Sequence, residues 1–311
     1  MATKVKQITN KYWRILVDAG TGFADDKGMK LSSALAYSTI FSLPPMLLLV
    51  IIFGGALYGK DAIEGRIFTE LRDVVGPETA RQIQNVIRGL QSQKNSTLAT
   101  VVGAIALVIG ATGIFVEIQD SLNMIWGVRP RAKKGFIKLL LNRALSFSMI
   151  IGLGFLLIVS LIVNALLIAM SNYLLKLLPE LPINILSMIN TVVIFFVISF
   201  LFSVIFKMLP DVRIRWKQVW PGAFVTSVLF LMGKFLIGLY ISKTNTVSLY
   251  GAASSIIVLL LWIYFSAAIL YFGAEFTRAY IEYHGKRIVP NSYAEYSDKR
   301  LLKHLKEEHK L

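Results

Sequence analysis

The sequence contains no cysteine and only three histidines, His284, His304 and His309, all close to its C-terminal end. The absence of cysteine excludes disulfide bonds, thiolate catalysis and cysteine-ligated zinc. Three histidines confined to the tail form no metal-binding motif, and no nucleotide-binding loop is present. The first 30 residues also lack the continuous apolar core of a secretory signal peptide. The sequence therefore predicts no metal and no cofactor.

Acidic residues are scarce, whereas apolar residues are abundant. Lysine and arginine number 33 against 18 acids, which gives a net charge of +15, and 55% of the chain is hydrophobic. Several apolar runs reach the roughly 20 residues that a membrane-spanning helix needs. A pI near 9.9 could indicate nucleic-acid binding, but the basic residues fall between the apolar runs. We therefore expect a membrane protein that contacts the lipid bilayer and binds no nucleic acid.

Six apolar segments are long enough to cross a bilayer. They cover roughly residues 31–58, 97–127, 136–170, 183–209, 218–241 and 250–280. Pro44 and Pro45 interrupt the first segment and predict a kink or a broken helix. The predicted fold class is all-α, with six transmembrane helices.

Basic residues cluster in the connectors that follow the second and fourth segments and in both termini. The positive-inside rule then places both termini in the cytoplasm. We divide the chain into an N-terminal amphipathic segment (1–30), a membrane domain (31–282) and a basic tail (283–311), with residues 60–94 as a helical cap on the outer face. The N-terminal segment either lies on an anionic leaflet or packs as a cytoplasmic helix.

Two carboxylates lie inside the second apolar segment, in the stretch GATGIFVEIQDSLNMIWGV at residues 110–128. Glu117 and Asp120 are three positions apart and share one face of a helix. Because an ionised side chain that faces lipid is costly, we expect both to face the bundle interior. They either line a polar cavity, pair with a cation from another helix, or lie near the cytoplasmic interface. Lys234, in the fifth segment, is the natural counter-ion.

Further polar residues extend this pattern. Gln119 and Asn123 share an adjacent helical face, where amides commonly bridge helices. Tyr271, Glu275 and Arg278 fall in one sector of the sixth segment, and the last two lie near its cytoplasmic end, where they pair or snorkel. The candidate cavity residues are thus Glu117, Gln119, Asp120, Asn123, Lys234, Tyr271, Glu275 and Arg278.

Three stretches resemble the hallmark segments of the YihY/virulence factor BrkB family: ALAYSTIFSLPPMLLLVI, GATGIFVEIQDSLNMIWGV and YGAASSIIVLLLWIYFSAAILYFGAEFTRAY. They occur in the family's order, and the resemblance covers about residues 10–285. It implies a bacterial inner-membrane protein with six helices. The motif positions it carries over, without a role for any of them, are Glu117, Gln119, Asp120, Asn123 and Glu275.

Two functions remain open at this point. The first is transport of a small anionic solute or a lipid through the polar cavity. The second is a non-catalytic scaffold for envelope assembly or virulence that recruits partners through the 60–94 cap and the basic tail. Family members were once described as ribonuclease BN, but the cytoplasmic connectors hold no His/Asp cluster for phosphodiester hydrolysis. We expect no enzymatic activity, and homo-oligomerisation stays open.

Overall fold

The computed structural model describes residues 2–42, 113–130, 183–243 and 254–297. Its elements are numbered in chain order within those ranges. The helices are α1 (Ala2–Asp25), α2 (28–42), α3 (113–126), α4 (Ile183–Met208), α5 (Trp216–Lys243) and α6 (Ser254–Tyr283). The strands are β1 (Val128–Pro130), β2 (Val212–Arg213), β3 (Val289–Pro290) and β4 (Ala294–Tyr296). The predicted Pro44–Pro45 break, the 60–94 cap, the 136–170 segment and the tail beyond 297 lie outside the described residues.

Two of the described helices are long and apolar enough to cross a membrane. They contain the spans Trp216–Ile237, of 22 residues, and Ile257–Tyr283, of 27 residues, and a shorter apolar run covers Phe195–Met208. These three agree with the fourth, fifth and sixth predicted segments. The helical character of the predicted fold is therefore confirmed, while the total of six spans stays a prediction.

Helices α5 and α6 pack closely because each places a glycine against a threonine of the other. A Cβ added at Gly222 would lie 1.7 Å from Oγ1 of Thr277, and one added at Gly273 would lie 1.9 Å from Oγ1 of Thr226. Each threonine hydroxyl donates to the carbonyl of the glycine one turn earlier on its own helix, so neither is left unsatisfied. The reciprocal pairs form an antiparallel contact of the small-residue kind that lets membrane helices approach.

Helix α1 packs on the C-terminal half of α6 and runs antiparallel to it. Ile15 and Ala19 are fully buried and share a core cluster with Phe276 and Ala279. The N-terminal helix is therefore packed against α6, and whether it also lies on a leaflet stays a prediction. The neighbouring sector of α1 still exposes large apolar side chains, namely those of Tyr12, Trp13, Leu16 and Val17.

Residues 286–297, here called the C-terminal strap, bind both basic connectors through short antiparallel strand pairs. Strand β4 pairs with β1, which follows α3, and β3 pairs with β2, which follows α4. Positive φ angles of 65° at Gly127 and 64° at Gly285 end α3 and α6 in the left-handed conformation and turn the chain into these segments. The four strands were not predicted from the sequence.

A single core cluster extends from the helices into the connectors. Buried Leu122 and Trp126 of α3 share it with Phe206 of α4, Val212 of β2 and Ile288 of the strap. The C-terminal ends of α3, α4 and α6 and the start of α5 consequently lie together at one end of the bundle, here called the basic end.

Candidate functional site

A buried polar cluster at the basic end is centred on Asp211, which lies between α4 and β2 and is 1% exposed. Nε2 of Gln119 and Nδ2 of Asn123 each donate to one of its carboxylate oxygens, both at 3.0 Å. Oδ1 of Asn123 accepts from the Asp211 backbone N–H at 2.8 Å. Because this last bond fixes the orientation of the Asn123 amide, the donor role of Nδ2 is determined. The Asp211 cluster thus joins α3 to the α4–α5 connector.

The strap completes the cluster. The backbone N–H of Asn291 donates to the carbonyl of Asp211 at 2.9 Å, and its Nδ2 donates to the hydroxyl of Tyr293 at 3.2 Å. Burial raises the pKa of the Tyr293 phenol above its usual value near 10, and the charge and hydrogen bonding of Asp211 raise it further. The hydrogen bond from Asn291 lowers this pKa, but its effect is smaller. The strap therefore holds Tyr293 in its neutral form beside Asp211.

Replacing Tyr293 by phenylalanine should change how stability depends on alkaline pH. The raised pKa means that the folded protein keeps a proton that the unfolded chain loses near pH 10. The contribution of Tyr293 is therefore complete below about pH 10 and is lost as pH rises through the folded-state pKa. In melting curves from about pH 8 to pH 11, Tyr293→Phe should flatten the alkaline decline. An unchanged decline would contradict a hydroxyl bonded to Asp211.

A second cluster, here called the Arg278 cluster, joins α1, α3 and α6. Nη1 of Arg278 donates to Oδ2 of Asp26 at 2.8 Å and also to the carbonyl of Ile125. Nη2 of Arg278 lies 2.9 Å from Oε2 of Glu275 in an ion pair. Asp26 belongs to the turn between α1 and α2, in which Lys27 adopts a φ of 57°. The guanidinium therefore connects that turn to the end of α3.

The acids of α3 are less buried than its amides. Gln119 and Asn123 are buried, whereas Asp120 is exposed and Glu117 is half-buried. Asp120, Glu117 and the exposed Met124 occupy one sector, because the opposite side of α3 supplies the core contacts. Asp120 is therefore not packed into the core of the described residues, and whether it faces water in a polar cavity stays a prediction.

Lys234 does not serve as the predicted counter-ion. Its side chain is exposed, and within the described residues no ion pair joins it to Glu117 or Asp120. At 1.5 Å per residue, Lys234 lies about 27 Å from the start of α5 at the basic end, while Glu117 and Asp120 lie about 14 and 9 Å from the end of α3. Lys234 therefore lies much farther from the basic end than the two acids do, which explains why it forms no ion pair with them.

Of the predicted cavity residues, the structure brings together Gln119 with Asn123 and Glu275 with Arg278. Tyr271 is fully buried in α6, beside Ser121 and Glu117 of α3. The hydroxyls of Tyr271 and Ser121 lie beside each other and are buried, and neither has another hydrogen-bond partner among the described residues. Whether the eight residues line one cavity stays a prediction.

Sequence reasoning missed three contributors, Asp26, Asp211 and Tyr293. Asp211 is the single acid of the basic connector between Lys207 and Lys217, and Asp26 lies in the N-terminal segment. A lone acid among basic residues immediately after an apolar helix is the one signal that could have indicated Asp211. Its partners on α3 are separated from it by about 90 positions, so spacing alone could not reveal them.

Apolar helices of spanning length, closely packed through small residues and joined by buried polar clusters at one end, define an α-helical membrane protein. The family model described as virulence factor BrkB matches residues 19–295. The chain belongs to this family.

Curated relatives carry the description UPF0761 membrane protein. One from Stenotrophomonas maltophilia is 27% identical over 292 residues, which cover 90% of this chain and 64% of the relative. One from Azotobacter vinelandii is 28% identical over 279 residues, covering 85% of this chain and 62% of the relative. The chain thus spans a little under two thirds of the length of these relatives. No solved structure matches the chain.

Proposed function

We propose that the chain is a non-enzymatic transporter of the bacterial inner membrane that moves a small anionic solute or a lipid across the bilayer. In this proposal six helices surround a polar cavity and both termini are cytoplasmic. The observation that carries it is the exposure of charged side chains on apolar helices, namely Asp120 on α3 and Lys234 on α5.

A charged side chain is energetically unfavourable in hydrocarbon, and this supports a water-filled space beside Asp120 and Lys234. Ionisable side chains within a bilayer almost always face the bundle interior or a hydrated cavity, and they mark substrate or ion pathways. Asp120 and the half-buried Glu117 lie about 9 and 14 Å along α3 from the basic end, and in this proposal that depth lies within the membrane. An aqueous cavity along the exposed sector of α3 would remove the cost of burying them in lipid.

The distribution of positive charge supports the orientation. The connectors that meet at the basic end carry exposed Arg129, Arg213, Arg215 and Lys217. Such residues are retained preferentially on the cytoplasmic side. The basic end would then be cytoplasmic, and Lys234 would lie toward the outer leaflet, where an ammonium group in an otherwise apolar surface attracts an anionic group.

Replacing Asp120 by asparagine should abolish transport without unfolding the protein. An exposed side chain contributes little packing, so the melting temperature should stay within about 2 °C of wild type. The measurement is flux of radiolabelled small anions and of fluorescent phospholipid in proteoliposomes. Asp18→Asn, at an exposed acid of α1, is the matched control and should keep wild-type flux.

The outcome separates the two functions. Flux of either substrate class in wild type and the control, lost in Asp120→Asn, would support transport along α3. Absence of flux for both classes in correctly folded wild type would contradict it. The weight would then move to the scaffold alternative, whose proposed surfaces, residues 60–94 and the tail beyond 297, lie outside the described residues.

A further inference from the structure

The ribbon formed by β2 and β3 has one buried side and one exposed side. Val212 of β2 is buried in the core cluster, whereas Arg213 is exposed and lies opposite the exposed Val289 of β3. The alternation continues one step past the paired residues, because Ile214 and Ile288 are buried in the same core cluster. Successive side chains of an extended chain point to opposite sides. The residues next to these two isoleucines therefore point away from the core.

Three arginines share the exposed side of this ribbon, here called the arginine face: Arg213 on β2, Arg215 just before α5, and Arg287 in the strap. Among the described residues, no ion pair or side-chain hydrogen bond occupies any of their guanidinium groups. The β1–β4 ribbon differs, because its Arg129 is paired with Glu295 at 3.0 Å. The described part of the chain therefore leaves the arginine face without an acidic partner.

An exposed apolar stripe ends at the arginine face. On α4, Val192, Phe196 and Phe200 are exposed and recur at every fourth position, so they lie along one side of the helix. The exposed ring of Trp216, the first residue of α5, stacks on that of Phe200 with a centroid distance of 6.5 Å. Tryptophan is enriched where the hydrocarbon of a bilayer meets its headgroups. Because Trp216 directly follows Arg215, the arginine face begins at the level of the headgroups.

We propose that the arginine face binds the phosphate groups of anionic phospholipids in the leaflet at the basic end, while Trp216 and Phe200 contact the acyl chains. A guanidinium suits a phosphate because its planar fork of N–H donors forms two parallel hydrogen bonds to the phosphate oxygens. An anionic headgroup also supplies the net negative charge that the face lacks, which a zwitterionic headgroup does not. Binding holds the α4–α5 connector and the strap together at the membrane surface. The inference uses the membrane class of the protein and does not depend on transport.

The position of the arginine face favours a phospholipid over a soluble phosphate or a nucleic acid. A soluble anion gains only from the positive charge, and salt screens such interactions at an exposed site. A phospholipid gains in addition from apolar contact with the exposed rings of Trp216 and Phe200. Lys217, exposed in the first turn of α5, extends the positive charge along the same boundary.

Thermal melting of the purified full-length protein in detergent tests the proposal. Adding phosphatidylglycerol should raise the wild-type melting temperature by roughly 3 °C or more above the value with phosphatidylcholine, because a ligand that binds only the folded state stabilises it. Arg215→Gln combined with Arg287→Gln should lose most of this rise. Arg14→Gln combined with Lys30→Gln removes the same charge from exposed positions of α1 and α2 and should keep it. Without added lipid, both double variants should melt within about 2 °C of wild type, since all four side chains are exposed.

Native mass spectrometry provides an independent measurement. From an equimolar mixture of the two phospholipids, the wild type should retain phosphatidylglycerol preferentially, and the variant with glutamine at positions 215 and 287 should retain both equally. The proposal would be overturned by an equal rise with phosphatidylcholine, or by an equal rise with inorganic phosphate or an RNA oligonucleotide at the same phosphate concentration. An equal loss in the control variant would also overturn it. Flux plays no part in these measurements, so their outcome is independent of the proposed transport.

Discussion

Replacing Asp211 by asparagine is expected to lower the free energy of unfolding by about 3 kcal/mol, or the melting temperature by about 8 °C. The carboxylate accepts from Gln119 through one oxygen and from Asn123 through the other. An asparagine offers only one oxygen, and its amide nitrogen would face a second donor in a site that excludes water. One charge-assisted hydrogen bond is therefore lost and a buried donor is left unsatisfied. Thermal melting of the protein in detergent measures the effect.

Exchanging the carboxylate and the amide between positions 211 and 123 tests whether the loss comes from this particular contact. Asn123→Asp alone should also destabilise the protein, because it places two carboxylates against each other. The double variant Asp211→Asn with Asn123→Asp restores a donor opposite an acceptor and should recover much of the loss, as a double-mutant cycle would show. Asp18→Asn on the exposed face of α1 controls for a general effect of removing an acid. Additive losses in the double variant would contradict the direct contact.

Replacing Gly273 by alanine is expected to destabilise the packing of α5 and α6 by about 3 kcal/mol. The new Cβ would lie 1.9 Å from Oγ1 and 2.9 Å from Cβ of Thr226, so the helices would have to move apart. Thr226 cannot rotate away cheaply, since its hydroxyl is bonded to the carbonyl of Gly222 and its side chain is fully buried. Melting in detergent, with size-exclusion chromatography to confirm the folded state, measures the loss.

Two further variants control this experiment. Gly20→Ala in α1 meets no atom within 4 Å and should be neutral, or stabilising by about 0.5–1 kcal/mol through helix propensity. Combining Gly273→Ala with Thr226→Gly returns the space and should give a protein more stable than Gly273→Ala alone. If Gly273→Ala behaved like Gly20→Ala, the close approach of the two helices would be refuted.

The membrane class and the positions of several helices could be predicted from the sequence. The predicted segments 183–209, 218–241 and 250–280 differ by at most a few residues from α4, α5 and α6. These predictions succeed because the length of an apolar run is a local property, set by the thickness of the bilayer. The family relationship was likewise visible in three local motifs and is confirmed by the match over residues 19–295.

The polar residues were harder to interpret, and α3 shows why. The sequence places Glu117, Gln119, Asp120 and Asn123 on the same short helix, and charge cost made the two acids the stronger candidates for the interior. The structure instead buries the two amides, because Asp211 supplies the charge from a connector about 90 positions away. Helical periodicity determines which residues share a face, but it does not determine which face meets the core.

The sequence by itself determined that this chain is a helical membrane protein of the virulence factor BrkB family, since hydrophobic length and motif order are read along one dimension. Only the tertiary structure decided that the C-terminal strap pairs with two connectors, that Asp26 shares Arg278 with Glu275, and that Lys234 lies far from the acids of α3. These are contacts between residues remote in sequence, and their energies depend on burial and hydrogen-bond geometry, which exist only once the helices have packed.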